Sequence, residues 1–99
     1  ASGNVLMRLR YSARAKDDLH IAFGWYEAQR RELGLEFLDC VEAAIETIQQ
    51  MPKLYAKHHD HFRRALVRRF PFSILYTIEE KEIVVHAIFD NRQDPARLP

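Results

Sequence analysis

The sequence predicts a two-layer α+β domain in the order β-α-α-β-β-β, with a helical hairpin packed on one face of a small antiparallel sheet. Three observations predict it. Apolar residues recur at helical spacing in two consecutive stretches on either side of Gly34. A short segment of alternating apolar and basic residues precedes them, and three segments rich in β-branched and aromatic residues follow. Helices segregated from strands in this way make a sheet with one face covered by helices. The other face is left open or goes to a partner.

The first strand is Met7-Arg8-Leu9-Arg10-Tyr11, whose period of two gives one buried face. Ser12 ends it and is placed to cap a helix from about Ala13, with Asp17 and Asp18 suited to the positive end of the dipole. Ala15, Leu19, Ala22, Phe23 and Tyr26 mark the buried stripe of that helix. Gly34 is placed to supply the left-handed residue that stops it. The second helix carries the clearest stripe, Phe37, Leu38, Val41, Ala44, Ile45 and Ile48, until Met51-Pro52 ends it. Six such side chains contribute on the order of 10 kcal/mol before entropy, too little for a free-standing hairpin. The hairpin needs a sheet to lie on. Lys53 to His61 reads as a polar connector, and the remaining strands as Phe62 to Arg69, Phe72 to Ile78 and Ile83 to Phe89, with Pro71 confined to a strand start or an edge.

The chain has 99 residues, and no repeat, low-complexity tract or linker divides it. Residues 7–99 therefore read as a single domain. Residues 1–6 read as a cloning remnant or a disordered N-terminus, with Met7 the natural start. A hydrophobic content of 47% against 29% charged residues places the chain among globular proteins and excludes disorder. The net charge of +1 hides an asymmetry: acids dominate residues 17–46, whereas Arg63, Arg64, Arg68 and Arg69 crowd into seven positions. The single cysteine, Cys40, can make no intrachain disulfide, no signal sequence opens the chain, and no apolar run approaches ~20 residues. A cytoplasmic protein without a membrane role is expected.

Few residues point to chemistry. His58-His59-Asp60-His61 carries metal-ligating side chains, but consecutive residues on a loop diverge and no distant partner completes a tetrahedral set, so no metal is expected. Three scattered glycines cannot cradle a phosphate, and no other cofactor is expected. Cys40 lies beside an apolar stripe, where a free cysteine behaves as a small hydrophobe. Arginines 63, 64, 68 and 69 fall on both faces of their strand and read either as edge protection or as a basic rim for an anionic partner. His86 alternates with Val84 and Ile88 on one face of the last strand, partly buried. That strand runs into the polar knot Asp90-Asn91-Arg92-Gln93-Asp94-Pro95.

The order of elements together with these motifs resembles the RelE/ParE superfamily of type II toxin–antitoxin toxins. The matching pieces are Tyr11-Ser12 with Ala15 and Asp18-Leu19, Gly34 with Phe37, Met51-Pro52, Phe62-Arg63-Arg64, Phe72 to Tyr76, and Val85-His86-Ala87-Ile88-Phe89 with Arg92 and Asp94-Pro95. The resemblance implies one of two activities. RelE-like members are ribosome-dependent mRNA endoribonucleases, which would use Arg63, Arg64, His86 and Arg92 here. The position of their third-strand arginine reads Ser73, however, and no tyrosine follows Arg92. ParE-like members are non-hydrolytic inhibitors of DNA gyrase, and the segment Ala87 to Asp94 is similar to theirs. The ParE branch is therefore the leading expectation, with Arg63, Arg64, Arg68, Arg69, Arg92 and Asp94 as target-binding candidates. A nontoxic antitoxin-binding module of the same fold is the third reading. All three imply a cognate antitoxin whose acidic or disordered tail wraps the domain.

Overall fold

The computed structural model describes residues 7–92. The elements are β1 (Arg8–Tyr11), α1 (Ala13–Gln29), α2 (Leu33–Gln50), β2 (Lys57–His59), β3 (Phe62–Leu66), β4 (Phe72–Glu79) and β5 (Glu82–Asp90). The five strands form one sheet in the order β1-β5-β4-β3-β2. The helical hairpin carries the chain to the far side of the sheet, and the meander β2 to β5 then returns it, strand by antiparallel strand, to β1. The returning β5 lies parallel to β1, with Arg8 opposite Glu82 and Tyr11 opposite Val85. The sheet is thus mixed, not antiparallel throughout, because its first and last strands meet at the close of the path.

Two further departures from the expected strands have local causes. Lys57–His59 is a fifth strand, reversed onto Phe62 and Arg63 through Asp60, whose φ of 53° is one that aspartate tolerates. Its three side chains are all exposed, so it has no apolar face to betray it. β3 ends at Leu66, not Arg69. The next turn is closed by Val67 N–H donating to the Phe72 carbonyl, and it takes its left-handed residue at Arg69, φ 74°.

Ser12 caps α1 as expected, its Oγ accepting from Ala15 N–H at 3.0 Å. Asp18 has a different task from dipole stabilisation: its carboxylate accepts the Ile88 N–H at 3.0 Å and ties the helix to β5. The hairpin does not turn at Gly34. α1 ends at Gln29, Glu32 supplies the left-handed residue with φ 69°, and Gly34 lies inside α2. Glycine is needed there for approach, since a Cβ would stand 2.8 Å from both the ring and the carbonyl oxygen of Phe23. Gly34→Ala is expected to cost about 1–3 kcal/mol through overpacking, read as a lower urea midpoint at unchanged slope. The Glu27 carboxylate accepts from Glu32 N–H and Gly34 N–H, each at 2.9 Å, and so satisfies amides at the start of α2 that no capping side chain reaches.

The core lies between the hairpin and the sheet. Phe37, fully buried, packs against Tyr26, Phe70 and Phe72 at centroid distances of 5.0 to 5.3 Å. Tyr76 is also fully buried, and its hydroxyl donates to the Pro52 carbonyl at 2.7 Å. Burial pushes its pKa up to about 12. Among the described residues no helix is long and apolar enough to cross a membrane.

Candidate functional site

Side chains alternate across a strand, so the neighbours Arg63 and Arg64 leave β3 on opposite faces. Arg63 lies on the helix side, where its Nη1 donates to the Tyr55 carbonyl at 2.6 Å. Arg64 lies on the open face. Arg68 and Arg69, in the turn after β3, border a cleft of about 350 Å³ against α2 that also includes Cys40. Arg69 donates to Glu36, which holds Arg30 as well, each at 3.2 Å. Arg92 stands beyond the end of β5, on the α1 side. The four arginines that look like one rim in the sequence therefore occupy three separate places, and Arg92 a fourth. Asp94 lies outside the described residues.

The open face is floored by Leu75, Ala87 and Phe89, a small buried cluster under Phe62. Arg64 is fastened above it: Nε donates to Ser73 Oγ and Nη2 to Asn91 Oδ1, both at 2.9 Å, with the guanidinium 5.5 Å from the centre of the Phe89 ring. Ser73 Oγ donates in turn to Asn91 Oδ1. Facing pairs shift register in β5: Tyr76 pairs with Val85 but Leu75 with Ala87. His86 is the extra residue of this bulge. It shares the open face with Val84 and, because of the bulge, with Ala87 and Phe89, while Ile88 points into the main core. The expected alternation of His86 with Ile88 fails for that reason.

Thr77 Oγ1 donates to Glu79 Oε2 at 2.7 Å and lies 2.8 Å from His86 Nε2. The single hydroxyl proton is committed to the carboxylate, which can only accept, so Nε2 carries the imidazole proton. Burial lowers the His86 pKa; Arg10 and His61 push the same way, and Glu79 opposes them. The unfolded chain thus binds this proton more tightly than the folded one. Stability from this group is full above the ordinary value of 6.5 and is lost as the pH falls through it toward the lower folded value. His86→Gln, which keeps a donor for Thr77 but cannot titrate, is expected to flatten that part of a urea-midpoint profile between about pH 7 and 5.

A third surface lies between α1 and the end of β5. Ile21 and Trp25, one helical turn apart, are 72% and 56% exposed and border a groove of about 450 Å³ whose other walls include Asp18, Phe72, Phe89 and Arg92. Arg92 closes its end. Its backbone N–H and Nε both donate to Asp90 Oδ1 at 2.8 Å, and Nη2 donates to Oδ2. These hydrogen bonds hold the Asp90 carboxyl below its usual pKa. Ile21 and Trp25 were discoverable from sequence only as large apolar residues lying off the stripe of α1.

The architecture has counterparts in known proteins. The chain matches the family model described as ParE toxin of the type II toxin–antitoxin system parDE over residues 9–95. It is 27% identical over 89 residues to Toxin ParE2 of two Mycobacterium tuberculosis strains, CDC 1551 / Oshkosh and H37Rv, covering 89% of this chain and 85% of each relative. A solved chain of the chromosomal ParDE system from P. aeruginosa superposes with a TM-score of 0.74 at 22% identity, covering 86% of this chain and 96% of that one. A copper-bound mutant toxin from Helicobacter pylori shares the fold more loosely, with a TM-score of 0.54 at 10% identity over 86% of this chain and 94% of that one. With the family match spanning nearly the whole described domain, the chain belongs to the ParE toxins of type II toxin–antitoxin systems.

Proposed function

We propose that this toxin acts in the cytoplasm by inhibiting DNA gyrase without hydrolytic chemistry, and that a cognate antitoxin neutralises it by covering the groove between α1 and β5. The observation that carries the reading is the groove itself. Exposed Ile21 and Trp25 beside the Asp90–Arg92 pair combine an aromatic anchor, an aliphatic neighbour and a fixed arginine, the side-chain types that dominate protein–protein binding energy. The groove ends in the segment through Arg92 that is similar to ParE-like toxins. Membership of the ParE family and the fold shared with a ParDE-system chain support an antitoxin as the natural partner.

The four residues that a ribonuclease would use here are spread over three places, with Arg64 and His86 alone sharing a face. In-line phosphoryl transfer needs its groups gathered around one phosphate. Arg63 lies on the helix side against Tyr55, Arg64 and His86 lie on the open face, and Arg92 is bound to Asp90 beyond β5. Purified toxin added to a gyrase supercoiling reaction is expected to block supercoiling or accumulate cleaved DNA, and pre-incubation with the antitoxin to restore the reaction. Unaffected supercoiling at large molar excess would refute the proposal, and transcripts cut on translating ribosomes would favour the ribonuclease instead.

A further inference from the structure

The open face of the sheet holds an arginine whose arrangement neither the gyrase reading nor the fold accounts for. Arg69, Arg92, Arg10 and Arg30 each sit within 4 Å of a carboxylate. Arg64 has only neutral partners among the described residues, the Ser73 hydroxyl and the Asn91 amide oxygen. Those two acceptors take the side edge of the guanidinium, Nε and one hydrogen of Nη2. The fork formed by Nη1 and the second hydrogen of Nη2 has no acceptor among the described residues. Nor is it shut away, since no unpartnered side-chain nitrogen there is buried. Among the described residues the fork is left open, on a side chain already fixed by two hydrogen bonds and by the Phe89 ring.

We infer that Arg64 is the anchor of a second interaction surface, which takes a carboxylate from an acidic side chain of a protein partner. A carboxylate matches the fork with two parallel hydrogen bonds, and the ordering cost is reduced because the arginine is already held. Phe62 lies beside it, stacked on His61 at 5.1 Å and edge-on to His86 at 5.0 Å, and offers an apolar step for a residue next to the acid. The occupant is thus an acidic segment with an apolar neighbour. A nucleic-acid strand fits poorly, because its affinity depends on several cations along the backbone. The other charged groups on this side already have partners: Arg10 is paired with Glu82 at 3.0 Å, Asp60 lies 3.1 Å from His61, and Glu79 accepts from Thr77, so Arg64 is left without the row of free cations a backbone needs. This surface shares Phe89 with the groove at Trp25 but is anchored on the other face of the sheet, and its test does not involve gyrase.

The decisive experiment follows the Arg64 side-chain Nε–Hε resonance of the ¹⁵N-labelled protein. The probes are capped Leu-Asp-Phe peptide, its Leu-Asn-Phe counterpart, and a ten-nucleotide oligothymidine. The acidic peptide is expected to shift the resonance saturably and to bind at least about tenfold more tightly than the amide peptide. Arg64→Gln is expected to remove that preference, and Arg64→Lys, which keeps the charge without the fork, to restore only part of it. Should Arg64→Gln fail to fold, the comparison of the two peptides on the parent protein decides alone. Equal binding of both peptides, or no shift up to about 10 mM acidic peptide, would overturn the inference. So would oligothymidine binding more tightly than the acidic peptide.

Discussion

An Arg92→Ala toxin is expected to unfold at nearly the same urea concentration as the parent and to be at least about tenfold weaker in a gyrase supercoiling assay. The two halves of this expectation have separate causes. The Arg92 side chain is 68% exposed, and its partner Asp90 is its near neighbour in the chain, so the pair bridges no distant elements. Its loss removes a surface contact from the folded state and leaves the core untouched. At an interface the same side chain acts differently. The grip of Asp90 on Nε, Nη2 and the backbone amide fixes the guanidinium at the mouth of the groove beside Trp25, so little further ordering is needed on binding. Asp90→Asn, which weakens that grip and leaves Arg92 in place, is expected to lose a smaller part of the inhibition. If Arg92→Ala inhibits as well as the parent, the target contacts another surface.

The second large effect concerns stability. Phe37→Ala is expected to cost about 3–5 kcal/mol, a large share of the roughly 5–15 kcal/mol available to a domain of this size. Phe37 is fully buried at the centre of the aromatic cluster, with Tyr26 at 5.2 Å, Phe72 at 5.0 Å and Phe70 at 5.3 Å. These partners come from α1, β4 and the turn before β4, so the cavity left by the ring could close only if three rigid elements moved together. Chemical denaturation followed by tryptophan fluorescence is a suitable measurement, because Trp25 packs edge-on against Tyr26 at 5.1 Å and reports on this cluster. A loss below about 1 kcal/mol would mean that the site collapses around the smaller side chain.

Both effects bear on the same groove. Tyr26 belongs to the cluster around Phe37 and also lines the groove that Trp25 and Arg92 border. The core that stabilises the fold is therefore also what holds the binding surface in shape. A partly destabilised Phe37 variant is expected to lose inhibition before it unfolds, whereas an Arg92 variant loses inhibition while remaining folded.

The sequence alone determined the parts of this protein that depend on one element at a time. The stripes of α1 and α2, the cap at Ser12, the stop at Met51-Pro52 and the apolar runs of β4 and β5 follow from which residues a helix or strand can bury. Their order, together with motifs such as Phe62-Arg63-Arg64 and Val85 to Phe89 with Arg92, carried the resemblance to the toxin family. The tertiary structure decided whatever depends on which distant segment arrives as a neighbour. That β1 lies parallel to β5 follows from the return path of the meander. Gly34, legible as a helix stop, is required because Phe23 of the other helix presses on it, and the turn itself passes to Glu32. One extra residue in β5 moves Ala87 and Phe89 onto the face of His86, a change that a period of two cannot register. Arginines adjacent in sequence were dispersed by strand alternation and a short β3, while Arg64, Ser73 and Asn91 were brought together from three strands' worth of chain. Periodicity reports how a segment divides between core and solvent, but the identity of the neighbour, and with it the chemistry of a surface, exists only once the sheet has closed.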